Sequence, residues 1–271
     1  MRPSGAFRPR DHGGTSVAAI ARVAKRVRST EKGEPAIELV DYASLEDEVP
    51  WSAAPFVPES ASLGVLRDAV ESCRGCPLYA RATHGVLGVG PARARVMLIG
   101  EQPGDREDVE GLPFVGPAGR VLDEALEEAE IDRDEVFVTN AVKHFKWEPR
   151  GKRRIHQKPR AREVEACRPW LEAELARVRP RALVALGATA AQALLGRAFR
   201  VTKDRGRVIA SPHAPIVLAT HHPSVVLRAP DAASRAARRA ELVADLRVIA
   251  AHLGEPSRKS REGDRIRARE P

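Results

Sequence analysis

The chain has 271 residues, enough for one sizeable core with tails and too few to force a two-domain reading. Its formal net charge of +8 favours a polyanionic partner, without separating DNA from RNA or an anionic membrane surface. No apolar run approaches the roughly eighteen residues of a membrane span. The N-terminus lacks the apolar centre of a secretory signal, and three cysteines do not make a disulfide framework, so a cytoplasmic protein without membrane attachment is expected.

In chain order, residues 1–32 carry eight Lys/Arg against two acidic residues, and residues 33–60 carry seven acidic residues and no Lys/Arg. Both stretches are rich in Pro, Ser and Gly with weak apolar periodicity. Residues 1–60 therefore read as a disordered or loosely attached extension, with room for one short helix over 18–27. The ordered domain is expected over 61–253, and residues 254–271 read as a flexible basic tail.

Inside the domain, Arg95-Val-Met-Leu-Ile is a short apolar run that ends in Gly100, a strand passing into a loop. Residues 119–130 place Val121, Leu122, Ala125, Leu126 and Ala129 at helical spacing. A second strand, 136–139, leads into a long loop over 143–162 that holds nine basic residues and one acidic, a net of +8 in twenty residues. A helix over 162–178 sets Val164, Cys167, Leu171 and Leu175 on one side, and Pro169 implies a kink or a start near it. Then follow a third strand at 183–186, a short helix at 188–195, a small hairpin at 208–215, a fourth strand at 216–220 and a closing helix at 232–252.

This alternation, with near-continuous apolar strands, predicts an α/β fold whose parallel sheet is covered on both faces. Sites in such folds form at the carboxyl ends of strands. Three polar clusters sit there: Gly100-Glu-Gln-Pro-Gly-Asp105, Asn140 to His144, and His221-His-Pro-Ser224.

Cys73-Arg-Gly-Cys76 has the spacing of metal ligands or of a redox pair, or the two are buried thiols without a ligand. A metal needs more donors. Cys167 is a third, and with no cysteine left the fourth must be another residue type, His144 or His84 being within reach. Mixed Cys/His ligation suits zinc or an iron–sulfur cluster, and spacing does not choose between them. The Gly100 loop has no phosphate-cradling glycine pattern, so a nucleotide cofactor is not supported. Its carboxylates and amide can be functional or a polar turn with a helix cap. Phe114, in a Gly/Pro-framed loop, can stack on a base or fill the core. Asn140 can pair with an amide-like edge or cap a turn. Lys152-Arg-Arg-Ile-His156 fits phosphate contact as well as a solvated face.

Taken together, these segments resemble the uracil-DNA glycosylase superfamily, specifically the iron–sulfur family 4 and its UdgX branch, which captures uracil-containing DNA covalently. The matching residues are Cys73-x-x-Cys76, Gly100-Glu-Gln-Pro-Gly-Asp105, Gly111-Leu-Pro-Phe-Val-Gly-Pro-Ala-Gly119, Thr139-Asn-Ala-Val-Lys-His144, Lys152-Arg-Arg-Ile-His156, Cys167-Arg-Pro-Trp170 and His222-Pro-Ser224. Gln102 together with Lys152 to His156 marks the branch.

The resemblance implies a three-layer α/β/α domain with a four-stranded parallel sheet. It also implies a 4Fe–4S cluster held by Cys73, Cys76, His144 and Cys167, the histidine standing where family 4 has a cysteine. The implied ligand is a uracil flipped out of DNA, with single strands preferred and the protein a monomer. Phe114 stacks on the base, Asn140 pairs with its polar edge, and Gly100, Gln102 and Asp105 complete the substrate-binding surface. His222 donates toward the uracil oxygen that becomes negative, Arg154 and its neighbours hold phosphates, and Ser224 meets the DNA backbone. His156 is the nucleophile that bonds C1′ of the sugar, and Glu101 orients or deprotonates it. The alternatives are a turnover glycosylase without trapping and a non-enzymatic DNA-binding module. His221, beside His222, leaves open which imidazole faces the base.

Overall fold

A computed structural model of the chain describes residues 50–254. The expected helix at 18–27, most of the N-terminal extension and the basic tail lie outside the described residues.

Four strands, β1 (Val96–Gly100), β2 (Val136–Asn140), β5 (Ala182–Leu186) and β7 (Ile216–Thr220), are buried along their whole lengths. They pair in parallel in the order β2-β1-β5-β7, the four-stranded sheet read from the sequence. A two-residue strand, β6 (Val208–Ile209), adds an antiparallel edge on β7. The hairpin expected at 208–215 is thereby corrected: its second arm is β7 itself, because Val208 and Ile209 find their partners at Leu218 and Val217.

Strands buried on both faces need apolar side chains in both directions, and alternate residues supply two cores. Leu98, Val138, Val184 and Leu218 face α3 (Pro117–Glu128) and α8 (Ala232–Leu253). Met97, Phe137, Leu183 and Val217 face the other way, toward α4 (Ala161–Val178) and α5 (Ala188–Leu195). Asp231 caps α8 by accepting the Ser234 N–H at 2.7 Å. Helix α4 runs unbroken through Pro169, so neither a restart nor a second helix is needed there.

Smaller elements set the rim. They are α1 (Leu63–Val70), α2 (Asp105–Glu110), α6 (Val201–Asp204) and α7 (Ser224–Leu227). The basic segment is only partly a loop. Residues Trp147–Arg150 (β3) and Arg153–His156 (β4) form an antiparallel hairpin of their own, turning at Gly151 with φ +59°. The ordered domain also begins before residue 61. Ala53 is buried, its N–H donates to Ala166 O at 2.8 Å, and the Arg162 guanidinium lies 4.2 Å from the Trp51 ring centre.

Chain order runs from β1 outward to β2, then back across β1 to β5. In such sheets ligands bind outside the carboxyl ends where the order reverses, and the Gly100 and Asn140 clusters lie side by side at those ends.

Candidate active site

Gly100 ends β1 and Asn140 ends β2, side by side in register. A Cβ at Gly100 would stand 2.3 Å from Asn140 Oδ1 and 2.9 Å from Phe114 Cζ, so only glycine lets the amide and the ring share this space. Phe114 takes φ +58°, a left-handed conformation that costs a non-glycine residue energy. Gly119 makes the turn possible, since a Cβ there would fall 1.6 Å from Phe114 O. The buried Glu107 carboxylate accepts the Gly104 N–H at 2.9 Å and also bonds the backbones of Gly116 and Phe114. Burial pushes that carboxyl above its ordinary range, and those backbone donors oppose the shift. In front of the ring, Asn140 Nδ2 has no hydrogen-bond partner, the single such buried side-chain N or O among the described residues.

His222 forms the opposite wall. Its ring lies 6.1 Å from that of Phe114, tilted 29°. The Ser224 N–H donates to His222 Nδ1 at 3.2 Å, with Ser224 Oγ 2.8 Å from the same nitrogen. A backbone N–H can only donate, so Nδ1 is the acceptor and Nε2 carries the proton. Burial, helped by the charges of Arg228 and His156, lowers its pKa to about 4, leaving a neutral N–H donor at ordinary pH. His221 turns away: its Nε2 lies 3.2 Å from Glu241 on α8. Ser224 thus orients His222.

Glu101, the first residue after β1, reaches across the reversal point. Thr189 Oγ1, on α5, donates to Glu101 Oε2, while Oε1 stands 3.5 Å from His156 Nε2. His156 ends β4 and is 49% exposed. Burial lowers its pKa, the nearby Glu101 opposes this and Arg228 adds to it, so the ring tends toward the neutral form.

The Gln102 side chain holds the hairpin. Its Nε2 donates to Lys146 O and Gln157 O, each at 3.1 Å, and its Oε1 accepts the Lys146 N–H at 3.2 Å. The side-chain amide thus joins the two chain ends from which β3 and β4 rise. Arg154 is likewise drawn inward, to Asp105 at 2.5 Å and the buried Asp108 at 2.6 Å, with Thr83 Oγ1 at 3.3 Å. Both Arg154 and Asp105 thereby tie the hairpin to α2. Lys143, first residue of the basic segment, is fully buried against Glu174 at 2.6 Å, and Lys146 pairs with Glu163 at 2.8 Å. The exposed charge of this segment therefore lies on side chains such as Arg150, Lys152, Arg153 and Lys158.

Cys73, Cys76, Cys167 and His144 are all buried. The three thiols are free and close enough to raise one another's pKa, Cys167 being pushed up to about 12, chiefly by burial. Trp170 Nε1–H points at Cys73 Sγ (3.2 Å) and the Lys143 N–H at Cys167 Sγ (3.3 Å), donors that suit a sulfur bearing negative charge. Burial lowers the His144 pKa to about 4, which keeps the imidazole in its ligating form. His84 instead meets the Glu71 carboxylate at 3.2 Å. No three Cys, His, Asp or Glu side chains among the described residues converge on one point as a single ion's ligands. Buried thiols with N–H groups directed at two of them, and a buried neutral imidazole, are donor types that zinc and an iron–sulfur cluster both take.

Thr189 and Gly187 went unnoticed in the sequence, although they follow β5 as the other clusters follow their strands. A Cβ at Gly187 (φ +89°) would stand 3.1 Å from His222 Cβ, so that glycine admits the imidazole.

Residues 87–247, more than half of the chain, match the model of the uracil DNA glycosylase superfamily. A Type-4 uracil-DNA glycosylase of Pyrobaculum aerophilum is 37% identical over 173 residues, covering 61% of this chain and 84% of that protein. One from Thermotoga maritima is 38% identical over 165 residues, 60% of this chain and 82% of its own length. A third, from Sulfurisphaera tokodaii, is 35% identical over 178 residues, 63% and 78% of the two chains. With the sheet, the strand-end pocket and these relatives in agreement, the chain belongs to the uracil-DNA glycosylase superfamily.

Proposed function

We propose that this protein excises uracil from DNA and is then captured on the resulting sugar through His156, as in the UdgX branch. The observation that carries the reading is the orphan Asn140 Nδ2 beside the Phe114 ring. A buried amide donor without a partner costs roughly 1–3 kcal/mol, and a flat ligand with a carbonyl on its edge relieves that cost. Uracil offers such a carbonyl, an adjacent N–H for Asn140 Oδ1, and a π-face for Phe114.

Each site residue then has one task. The N1–C1′ bond breaks and its electron pair leaves with uracil, whose O2 gains negative charge opposite the His222 Nε2–H. A donor fixed where charge develops lowers the barrier without reorganisation. The sugar left behind is cationic at C1′. The lone pair of a His156 imidazole nitrogen closes on it, and Glu101 takes up the proton that the alkylated ring gives off. Glu101 also steadies the cation electrostatically. Held beside C1′, the imidazole outcompetes water through its effective concentration. The new C–N bond has no carbonyl to invite hydrolysis, so turnover stops.

The donor set Cys73, Cys76, His144 and Cys167 would hold a 4Fe–4S cluster, which supplies a cross-link between chain segments. Neither bond change above alters an oxidation state. His144→Cys is expected to retain the visible absorbance of the bound cluster and His144→Ala to lose it; equal retention by both removes His144 from the set.

Assays with a uracil oligonucleotide in molar excess over protein test the reading by counting free uracil and denaturation-resistant adduct together. One adduct per uracil released supports it. Free uracil in excess of protein without adduct identifies a turnover glycosylase, in which Glu101 positions water. Binding with neither product identifies a DNA-binding module.

A further inference from the structure

A cleft of about 490 Å³ opens beside the site, between the start of α4 and the end of α5. Thr189, which holds Glu101, is among its lining residues, so the cleft borders the residues at the strand ends. Gln192 also lines it, and Lys158, Arg168 and Arg197 bring positive charge. Glu165 is its only carboxylate among the lining residues and is taken up by Arg168, at 3.1 Å to each oxygen. Lys158 and Arg197 are exposed, Lys158 just past the hairpin and Arg197 just past α5.

We infer that this groove carries the sugar-phosphate strand on one side of the flipped nucleotide, with Lys158 and Arg197 gripping its phosphates. The inference rests on the uracil-excising reading for the direction of the strand. Three features support it. One of the groove's lining residues, Thr189, bonds Glu101 directly. The groove's charge beyond the Arg168–Glu165 pair is positive, from Lys158 ahead of α4 and Arg197 past α5, which suits a chain of phosphates. Its lining leaves out the exposed charges of the hairpin turn, Arg150, Lys152 and Arg153, which gives the strand a second basic patch for the other side of the extruded base.

The test uses the full chain, the double variant Lys158→Ala/Arg197→Ala, and single-stranded oligonucleotides bearing one 2′-fluoro-2′-deoxyuridine, whose glycosidic bond resists cleavage so that binding stays reversible, at the centre, at the 5′ end or at the 3′ end. Binding is measured from low to moderate salt. Each phosphate contact to a single strand contributes about 0.7 to the slope of log K against log salt, so losing two lowers it by about 1.4. The expected result is that loss on the centred substrate and on one end-placed substrate. On the other, where no strand enters the groove, wild type and variant coincide. An unchanged slope on the centred substrate, or the same loss whichever flank is missing, overturns the inference. Equal melting temperatures of the two proteins exclude misfolding as the cause. Uracil release by the wild type, scored on ordinary uracil oligonucleotides in separate samples, tests the glycosylase reading separately, because the slope comparison needs no chemistry.

Discussion

Two imidazoles at the strand ends are held toward their neutral form, chiefly by burial. His222 has its Nδ1 filled by the Ser224 N–H and its pKa at about 4, so it donates as a neutral imidazole. Replacing it with Ala removes the donor facing the leaving base, and uracil release in a single turnover is expected to slow about 10²–10³-fold. For His156 the sign is equally definite. Its pKa is lowered from 6.5, the nucleophile in the proposed reaction is the neutral ring, and adduct formation is therefore expected to rise with pH and level off below the ordinary histidine value. A rate still climbing well above pH 6.5 contradicts this assignment. His156→Ser leaves Glu101 and the pocket in place, so it is expected to abolish the adduct and release uracil repeatedly. The motif positions of these residues were legible in the sequence. Which imidazole faces the base was not, because His221 and His222 are neighbours in the chain and diverge only in three dimensions, His221 toward Glu241.

At the level of elements, the hairpin decides how His156 is presented. Composition marked residues 143–162 as a basic surface, yet three of its charges are internal: Lys143 on Glu174, Lys146 on Glu163, and Arg154 between Asp105 and Asp108. Their partners come from distant parts of the chain, which a charge count along the sequence does not see. The hairpin was read as a loop for a related reason. Its strands are four residues each and largely solvent-facing, so no apolar alternation announces them. Gln102 holds its base, and Gln102→Leu strands the Lys146 N–H and two carbonyls. At roughly 1–3 kcal/mol for a buried group left unpaired, the hairpin loosens. The expected outcome is faster proteolysis near Gly151 and at least a tenfold slower adduct, with uracil release less affected. Equal losses of both products would place Gln102 in the pocket after all.

Across the whole molecule, the sheet and its two apolar cores followed from the alternation of apolar runs, and the strand order brings the ends of β1 and β2 side by side. The N-terminal boundary was drawn too late because Trp51 to Phe56 has no periodicity; only its contacts with α4 tie it down. The interior also holds a feature no sequence pattern marks, the Lys143–Glu174 pair, both side chains 0% exposed and joined by Thr139 and the Gly88 N–H. Removing one partner from a buried ion pair typically costs about 3–5 kcal/mol. For a domain of this size that is a fall in Tm of roughly 6–20 °C, expected for Lys143→Met and measured by thermal unfolding. The double variant Lys143→Met/Glu174→Leu removes both charges and should recover a large part of the loss; a simple sum of the two single effects would mean that the residues do not act as a pair.

The central claim is that one pocket releases uracil and one histidine then bonds the sugar. Peptide mass spectrometry after incubation with a uracil oligonucleotide tests it most directly. The expected spectrum shows the peptide containing His156 heavier by the deoxyribose-bearing strand, in step with the uracil released, and no shift with a thymine control. A modified peptide elsewhere, or uracil released with no modified peptide at all, contradicts the assignment of His156.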